Sequence, residues 1–301
     1  MNRINVTTNR ESREFAKISS PVLFIEGGGA DRFDINVMES LFDGKIKIEP
    51  LGSSVGVRFA SQAFQQSYPY YFFLVDRDTC SDQEVEQSWK TFGTENGNNL
   101  LILHKREIEN YFLDPDFLCL SQYLYPNKNT DAKTEITNKI IYFAQKRLFV
   151  DVLNFVIISC REKLKKTGIE LATMNNIKTE KDALQKIEQI KDFDNYIKNA
   201  KELSKQMRKM FCDRLKLLRG NSESLQINVG KWQDQMEGKE ILNSVLSQGF
   251  FKVKNNMNKI IQNKDKTNRI IKDLLKEKNR SNKFPQELLE IKEKIIQKIN
   301  R

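Results

Sequence analysis

The chain has 301 residues, with 50 Lys/Arg against 40 Asp/Glu, one histidine and four cysteines. That length allows a substantial core and two domains. The opening Met-Asn-Arg-Ile-Asn-Val-Thr-Thr lacks the apolar core of a signal peptide, and no later stretch is long and apolar enough to cross a bilayer, so a soluble cytoplasmic protein is expected.

Charge is unevenly divided. Residues 1–130 hold 13 basic and 18 acidic side chains, and the remainder holds 37 basic and 22 acidic. A polyanion is the natural client of the second part, although a Lys-rich run is also what a merely solvated helical face looks like. Cys80, Cys119, Cys160 and Cys212 show no paired spacing. They argue against zinc and provide no disulfide framework, and they read as thiols in a reducing cytosol.

From residue 21 to about 120 the pattern alternates between strand and helix. A strand over 21–26 (Val22-Leu23-Phe24-Ile25-Glu26) breaks into Gly27-Gly28-Gly29, and a helix over 31–42 follows. Then come a strand over 45–50, a helix over 55–66, a strand over 70–76, a helix over 82–92, a strand over 99–104 and a helix starting near Glu107. This is a βαβ series, with turns at Asp43-Gly44, Gly52-Ser53-Ser54 and Asn96-Gly97-Asn98-Asn99. The glycine-rich turn fits neither a dinucleotide fingerprint nor a Walker loop, and Gly230-Lys231 and Gly238-Lys239 also fail the Walker spacing.

Beyond residue 125 apolar residues recur at helical spacing, as in Ile140, Ile141, Phe143, Leu148, Val152 and Val156. Tyr125–Thr130 reads as the linker. A long basic helix over 195–218 carries Lys201, Lys205, Arg208, Lys209, Arg214 and Lys216, with Arg219 just beyond it, and residues 252–301 add 15 basic side chains, among them Lys264, Lys266, Arg269 and Lys272. After Phe284-Pro285, Leu288, Ile291, Ile295 and Ile299 form a stripe that needs a partner helix, either within the chain or in a second copy.

Three acids end buried strands: Glu26 after the first, and Asp76 and Asp78 after the Tyr-Tyr-Phe-Phe-Leu-Val run. In a mostly parallel sheet the C-terminal strand ends form the ligand crevice, and clustered acids there repel one another without a cation. With so few nitrogen and sulfur ligands, that cation is expected to be hard, Mg²⁺ or Mn²⁺. Strict alternation puts Asp76 and Asp78 on one face with Arg77 opposite, so both reach one ion only if the chain leaves the strand between them. Both are expected as metal ligands, with Glu26 sharing the ion or acting as base. Of Glu107 and Glu109, about 200° apart on a helix, Glu109 is expected to face the metal and Glu107 to form a salt bridge. Lys105 is a candidate for stabilising the transition-state phosphate, or a surface lysine. His104 is either a proton donor or structural. The aromatics around Tyr70–Phe73, with Phe64 and Tyr68, suit base stacking or core packing, and core packing is expected for Phe72, Phe73, Trp89 and Trp232.

Glu26-Gly27 and Asp76-Arg77-Asp78, in an alternating unit of this size, resemble the Toprim domain of topoisomerases, primases and overcoming-lysogenization-defect nucleases. The segment from Lys105 through Glu109 to Pro115 resembles one in stand-alone bacterial Toprim proteins with helical C-terminal halves. In length and order the chain is similar to the Toprim nuclease effectors of the PARIS anti-phage defence system. The motif-bearing resemblance covers about residues 20–118. It implies an α/β Toprim domain with a Rossmann-like, mostly parallel sheet over 1–125, followed by a mainly α-helical, basic domain over 126–301 for nucleic-acid binding or dimerisation. It further implies a metal-dependent endoribonuclease, held by an ABC-type ATPase partner until a phage product releases it, which then dimerises and cleaves tRNA, host lysine tRNA first. A Toprim DNA nuclease or nickase, and a non-catalytic docking subunit, are the alternatives. One departure concerns the first turn, where the family places an acid four residues after the glutamate. That place is Ala30 here and Asp31 comes one later, either as an outer metal ligand or as a helix N-terminal acid.

Overall fold

The computed structural model describes residues 21–27, 33–64, 67–94, 99–125, 131–165, 192–254, 264–281 and 284–300. Asp31 and positions 126–130 of the expected linker lie outside these. The alternating segment forms β1 (Val22–Ile25), α1 (Phe33–Phe42), β2 (Lys47–Pro50), α2 (Ser54–Phe64), β3 (Tyr71–Val75), α3 (Asp82–Thr91) and β4 (Leu100–Ile102). The four strands make one parallel sheet in the order β2-β1-β3-β4. Every residue of β1, β3 and β4 is buried, as in a parallel sheet covered on both faces.

One face packs Val22 and Phe24 with Tyr71, Phe73 and Val75 against Val57 and Ala60 of α2 and Val85 of α3. Phe24 lies with its ring centroid 5.3 Å from those of both Tyr71 and Phe73, so the sheet centre is an aromatic stack. Core packing therefore holds for Phe72 and Phe73, each no more than 1% exposed. The chain runs from β1 outward to β2, crosses back to β3 beside β1, and continues to β4. The strand order thus reverses between β1 and β3, the place in such sheets where ligands bind.

The expected helix near Glu107 is instead a 3-10 turn, Ile108–Phe112, followed by the short α4, Pro115–Leu118. Pro115 forces the preceding Asp114 into an extended conformation, which ends the first element, and Asp114 then caps α4 by accepting the Asp116 N–H at 2.9 Å. The remaining helices are α5 (Ala132–Lys165), α6 (Asp192–Arg219), α7 (Trp232–Gln235), α8 (Gly238–Leu246), α9 (Lys264–Ser281) and α10 (Gln286–Ile299).

Contacts divide the chain differently from the expected 1–125 and 126–301: residues up to Ile140 form one unit with Glu237 onward, and Ile141–Met236 form the other. The physical reason is that the C-terminal stripe finds its partner within the chain. Leu288, Ile291 and Ile295 are buried, and α9 and α10 pack against α1. Each buried aliphatic of that stripe contributes about 1.5–3 kcal/mol. Asp273 of α9 is buried and accepts from Ser121 Oγ at 3.1 Å and the Gln122 N–H at 2.9 Å. Lys266, expected on a basic surface, is buried too, and its ammonium donates to the carbonyls of Ser247 and Gln248 at the end of α8.

In the second unit the guanidinium of Arg214 is buried over the Phe155 ring at 4.0 Å and donates to the Gln235 carbonyl at 2.8 Å. Trp232 is fully buried, its indole N–H donating to the Gln226 carbonyl. Lys198, Lys201, Lys205, Arg208, Lys209 and Lys216 of α6 are exposed. The four cysteines are unpaired, and among the described residues no helix is long and apolar enough to cross a membrane.

Candidate functional site

β1 and β3 run parallel with Ile25 beside Leu74, so both strands end at the switch point with Glu26 level with Val75 and Asp76 one residue beyond. The Asp76 backbone N–H donates to Glu26 Oε1 at 2.8 Å, which ties the two strand ends together through the glutamate side chain. β3 stops at Val75, and Asp78 has φ +46°. The chain therefore leaves the strand before Asp76, and strict strand alternation does not govern the two aspartates. Backbone N–H groups of Arg77 and Asp78 donate to the Arg106 carbonyl at 3.1 and 3.4 Å, fixing this turn to the segment after β4. Arg77 donates to the His104 carbonyl at 3.0 Å and to the Cys80 carbonyl, and pairs with Asp82, so its charge is spent on joining β3, β4 and α3. Ser81 and Glu84 form a reciprocal capping box that starts α3 directly after the turn, a device worth about 1 kcal/mol.

Gly27 has φ +105° and exchanges two backbone hydrogen bonds with Gly52, of 2.8 and 3.0 Å. A side chain at Gly27 would be strained by that φ and would lie 3.7 Å from the Asp34 carboxylate. Asp34, in the first turn of α1, thus stands beside the Glu26 turn. Sequence reasoning passed over it, looking for the acid at Asp31. Its only signal was an acid in the first turn of a helix that follows an acid-tipped strand.

Glu109 is buried at the start of the 3-10 turn and Glu107 is half-buried just before it. Glu107 Oε2 accepts the Lys239 backbone N–H at 2.9 Å, and its own N–H donates to Asn110 Oδ1 at 3.0 Å. The N-terminus of α8 therefore holds Glu107. Gly238 is required at that contact, because a Cβ there would sit 2.5 Å from Asn110 Oδ1 and 2.7 Å from its backbone nitrogen.

These carboxylates disturb one another. Burial, and then the Asp78 charge, raise Glu26 to about 7, against the opposing pull of the Asp76 N–H and Arg58. Asp76 is held well above the usual carboxylate range by burial and by Asp34, Glu26, Glu109 and Glu107, in that order. Glu109 is raised likewise by burial, Asp34 and Glu107. Asp78 and Glu107 are raised by burial, which Arg106 partly offsets in both. The neighbouring cations offset this repulsion only in part, and the donors of the crevice are all oxygens, the chemistry that suits a hard divalent cation. Among the described residues, however, no three His, Cys, Asp or Glu side chains already stand in a metal-holding arrangement.

Lys105 and His104 each have partners close by. The Lys105 ammonium donates to the Asn110 carbonyl at 3.5 Å and lies 5.1 Å from the Tyr111 ring centroid. His104 sits between Glu287 of α10, 3.0 Å from Nδ1, and Glu86 of α3, 3.4 Å from Nε2, with its ring against Trp89. Trp89 packs there and donates its indole N–H to the Ile102 carbonyl. Arg58 of α2 draws Glu26 and Asp78 downward, as Arg106 does Asp78, and its Nη2 donates to Cys80 Sγ at 2.9 Å. Nothing in the sequence of α2 marked Arg58, since its neighbours come from the fold alone.

No protein-family model matches the chain, and no curated protein matches it.

Proposed function

We propose that the chain is a metal-dependent nuclease of the Toprim type that cleaves RNA, with tRNA as the favoured substrate. The observation that carries this reading is the set of mutually repelling carboxylates, Glu26, Asp76, Asp78 and Glu109 with Asp34 and Glu107, gathered around the point where strand order reverses. Glu26, Asp76, Asp78 and Glu109 are the residues that would hold Mg²⁺ or Mn²⁺. A bound ion supplies charge neutralisation at the non-bridging phosphate oxygens and lowers the pKa of the attacking water.

The chain's own groups do the rest. Glu26 is the ion's ligand or, where it leaves the ion free, the base that takes a proton from the attacking water. As the water oxygen bonds to phosphorus, the bond to the leaving oxygen breaks with its electron pair, and that oxygen takes a proton from solvent. Asp76 orients Glu26 through its backbone N–H. The exposed lysines and Arg208 of α6 provide a surface for the phosphate backbone.

The choice of RNA rests on the resemblance to AriB, the Toprim effector of the PARIS anti-phage system. The same resemblance brings the proposed partners: an ABC-type ATPase like AriA that restrains the enzyme, and a second copy of the chain in the active homodimer. The test is to incubate purified protein with total tRNA and with plasmid DNA in parallel, with Mg²⁺ or with chelator, beside Glu26→Ala. Mg²⁺-dependent tRNA cleavage lost in Glu26→Ala is the expected result. Plasmid cleavage alone would move the substrate to DNA, and cleavage of neither would reduce the chain to a docking subunit.

A further inference from the structure

We propose that Arg58 is a catalytic residue of this site, gripping a non-bridging oxygen of the scissile phosphate through its guanidinium. The inference rests on the nuclease reading and adds to it the group that binds the substrate's charge, the role the sequence suggested for Lys105.

Of the arginines near Glu26 and Asp78 among the described residues, Arg77 and Arg106 are engaged in building the crevice. Arg77 is bound to two carbonyls and Asp82. Arg106 is buried, and its guanidinium donates to Glu237. Arg58 is different. Its α2 begins at Ser54, directly after Gly52, which is paired with Gly27 at the tip of β1. The second turn of α2 therefore stands over the switch point. There the half-buried guanidinium feels both Glu26 and Asp78, whose carboxylates it draws downward.

Among the described residues its side chain makes one hydrogen bond, to the thiol of Cys80, a weak acceptor. A guanidinium has five N–H donors in a planar fork that matches two oxygens of a phosphate. Most of that capacity is unspent, in a crevice whose acids would be matched by a metal ion and whose substrate is an anion. The incoming phosphate completes the coordination that the thiol only begins. In the reaction the guanidinium stays protonated: charge builds on the phosphate oxygen as the water oxygen bonds to phosphorus, and Arg58 stabilises it until the leaving oxygen departs with its electron pair.

The experiment uses the full chain and compares Arg58→Ala, Arg58→Lys and Cys80→Ala with the unaltered protein. Readouts are single-turnover cleavage of total tRNA in Mg²⁺, calorimetric binding of Mn²⁺ alone, and melting temperature. Arg58→Ala should slow cleavage by about 10²–10³-fold, the loss typical of one preorganised donor. Its Mn²⁺ affinity should be unchanged or tighter, because a positive charge has been taken from beside Glu26 and Asp78. Arg58→Lys should recover part of the rate. Cys80→Ala should cleave within about threefold of the unaltered protein, since the thiol only parks the guanidinium.

If Arg58 merely props the turn after β3 through Cys80, both alanine variants will lose rate together and Mn²⁺ affinity will fall with them, and the proposal is overturned. Cleavage by Arg58→Ala at the unaltered rate overturns it as well while leaving the nuclease reading intact. An unaltered protein that cuts no nucleic acid overturns both.

Discussion

Stability of the metal-free protein should fall as the solution becomes less acid, and Glu26 gives the size of the effect. Its carboxyl titrates near 7 in the fold against 4.5 for an ordinary glutamate. A raised acid favours its protonated form in the folded state, so its stabilising contribution is complete below 4.5 and disappears as pH climbs through 7. The difference of about 2.5 pH units corresponds to about 3 kcal/mol. Asp76 and Glu109 are displaced in the same direction. Glu26→Gln removes the titration while keeping the amide shape, so the quantity to follow is the stability of the unaltered protein minus that of Glu26→Gln, by urea unfolding in chelator. That difference should shrink by about 3 kcal/mol between roughly pH 4.5 and pH 8. Mg²⁺ should then restore the unaltered protein at the upper end and do little at the lower, because it binds the ionised carboxylates and contributes about 2.7 kcal/mol at a hundred times its dissociation constant. Parallel curves in chelator, or an unaltered protein that gains on Glu26→Gln as pH rises, would refute the claim that burial and repulsion outweigh the nearby Arg58 at Glu26.

Other substitutions separate assembly from chemistry. Asp76→Ala should reduce Mg²⁺-dependent cleavage by about 10²–10⁴-fold, and an unchanged single-turnover rate would remove Asp76 from the site. Gly238→Ala forces a Cβ to within 2.5 Å of Asn110 and should lower stability by about 1–3 kcal/mol in urea unfolding; a melting curve that superimposes on the original would show that α8 can retreat freely. His104→Gln breaks the link between Glu86 and Glu287 and should lower the melting temperature without changing the cleavage rate per folded molecule, whereas a changed rate would return His104 to the chemistry. Replacing Lys201, Lys205 and Lys209 by Gln should weaken tRNA binding and flatten its dependence on log salt by up to about three phosphate contacts, and a slope that does not move would make α6 a solvated face.

The acids at the strand ends were legible because three local signals coincide: short apolar runs of strand length, an acid ending each run, and turn residues directly after. Parallel pairing then does the assembly, so Glu26 and Asp76 follow from the sequence of β1 and β3. Asp34 and Arg58 were not legible. Each is a charged residue on a helix with an ordinary mixture of polar and apolar neighbours, and only the pairing of Gly27 with Gly52 brings their helices to the same turn. The return of α8, α9 and α10 to the sheet was hidden for a related reason. Their apolar stripes have the same period as those of α5 and α6, and a period does not name its partner. The charge balance even pointed the other way, grouping residues 252–301 with the basic middle of the chain, whereas Lys266 turns inward and caps α8.

The acid-bearing unit is woven from two stretches of chain with Ile141–Met236 between them. A ribosome translating that middle stretch has already emitted Glu26, Asp76 and Glu109, yet the Lys239 amide that holds Glu107 and the Glu287 carboxylate that grips His104 have still to be synthesised. The contacts that tie Glu107 and His104 into this unit are therefore among the last that a growing chain can make.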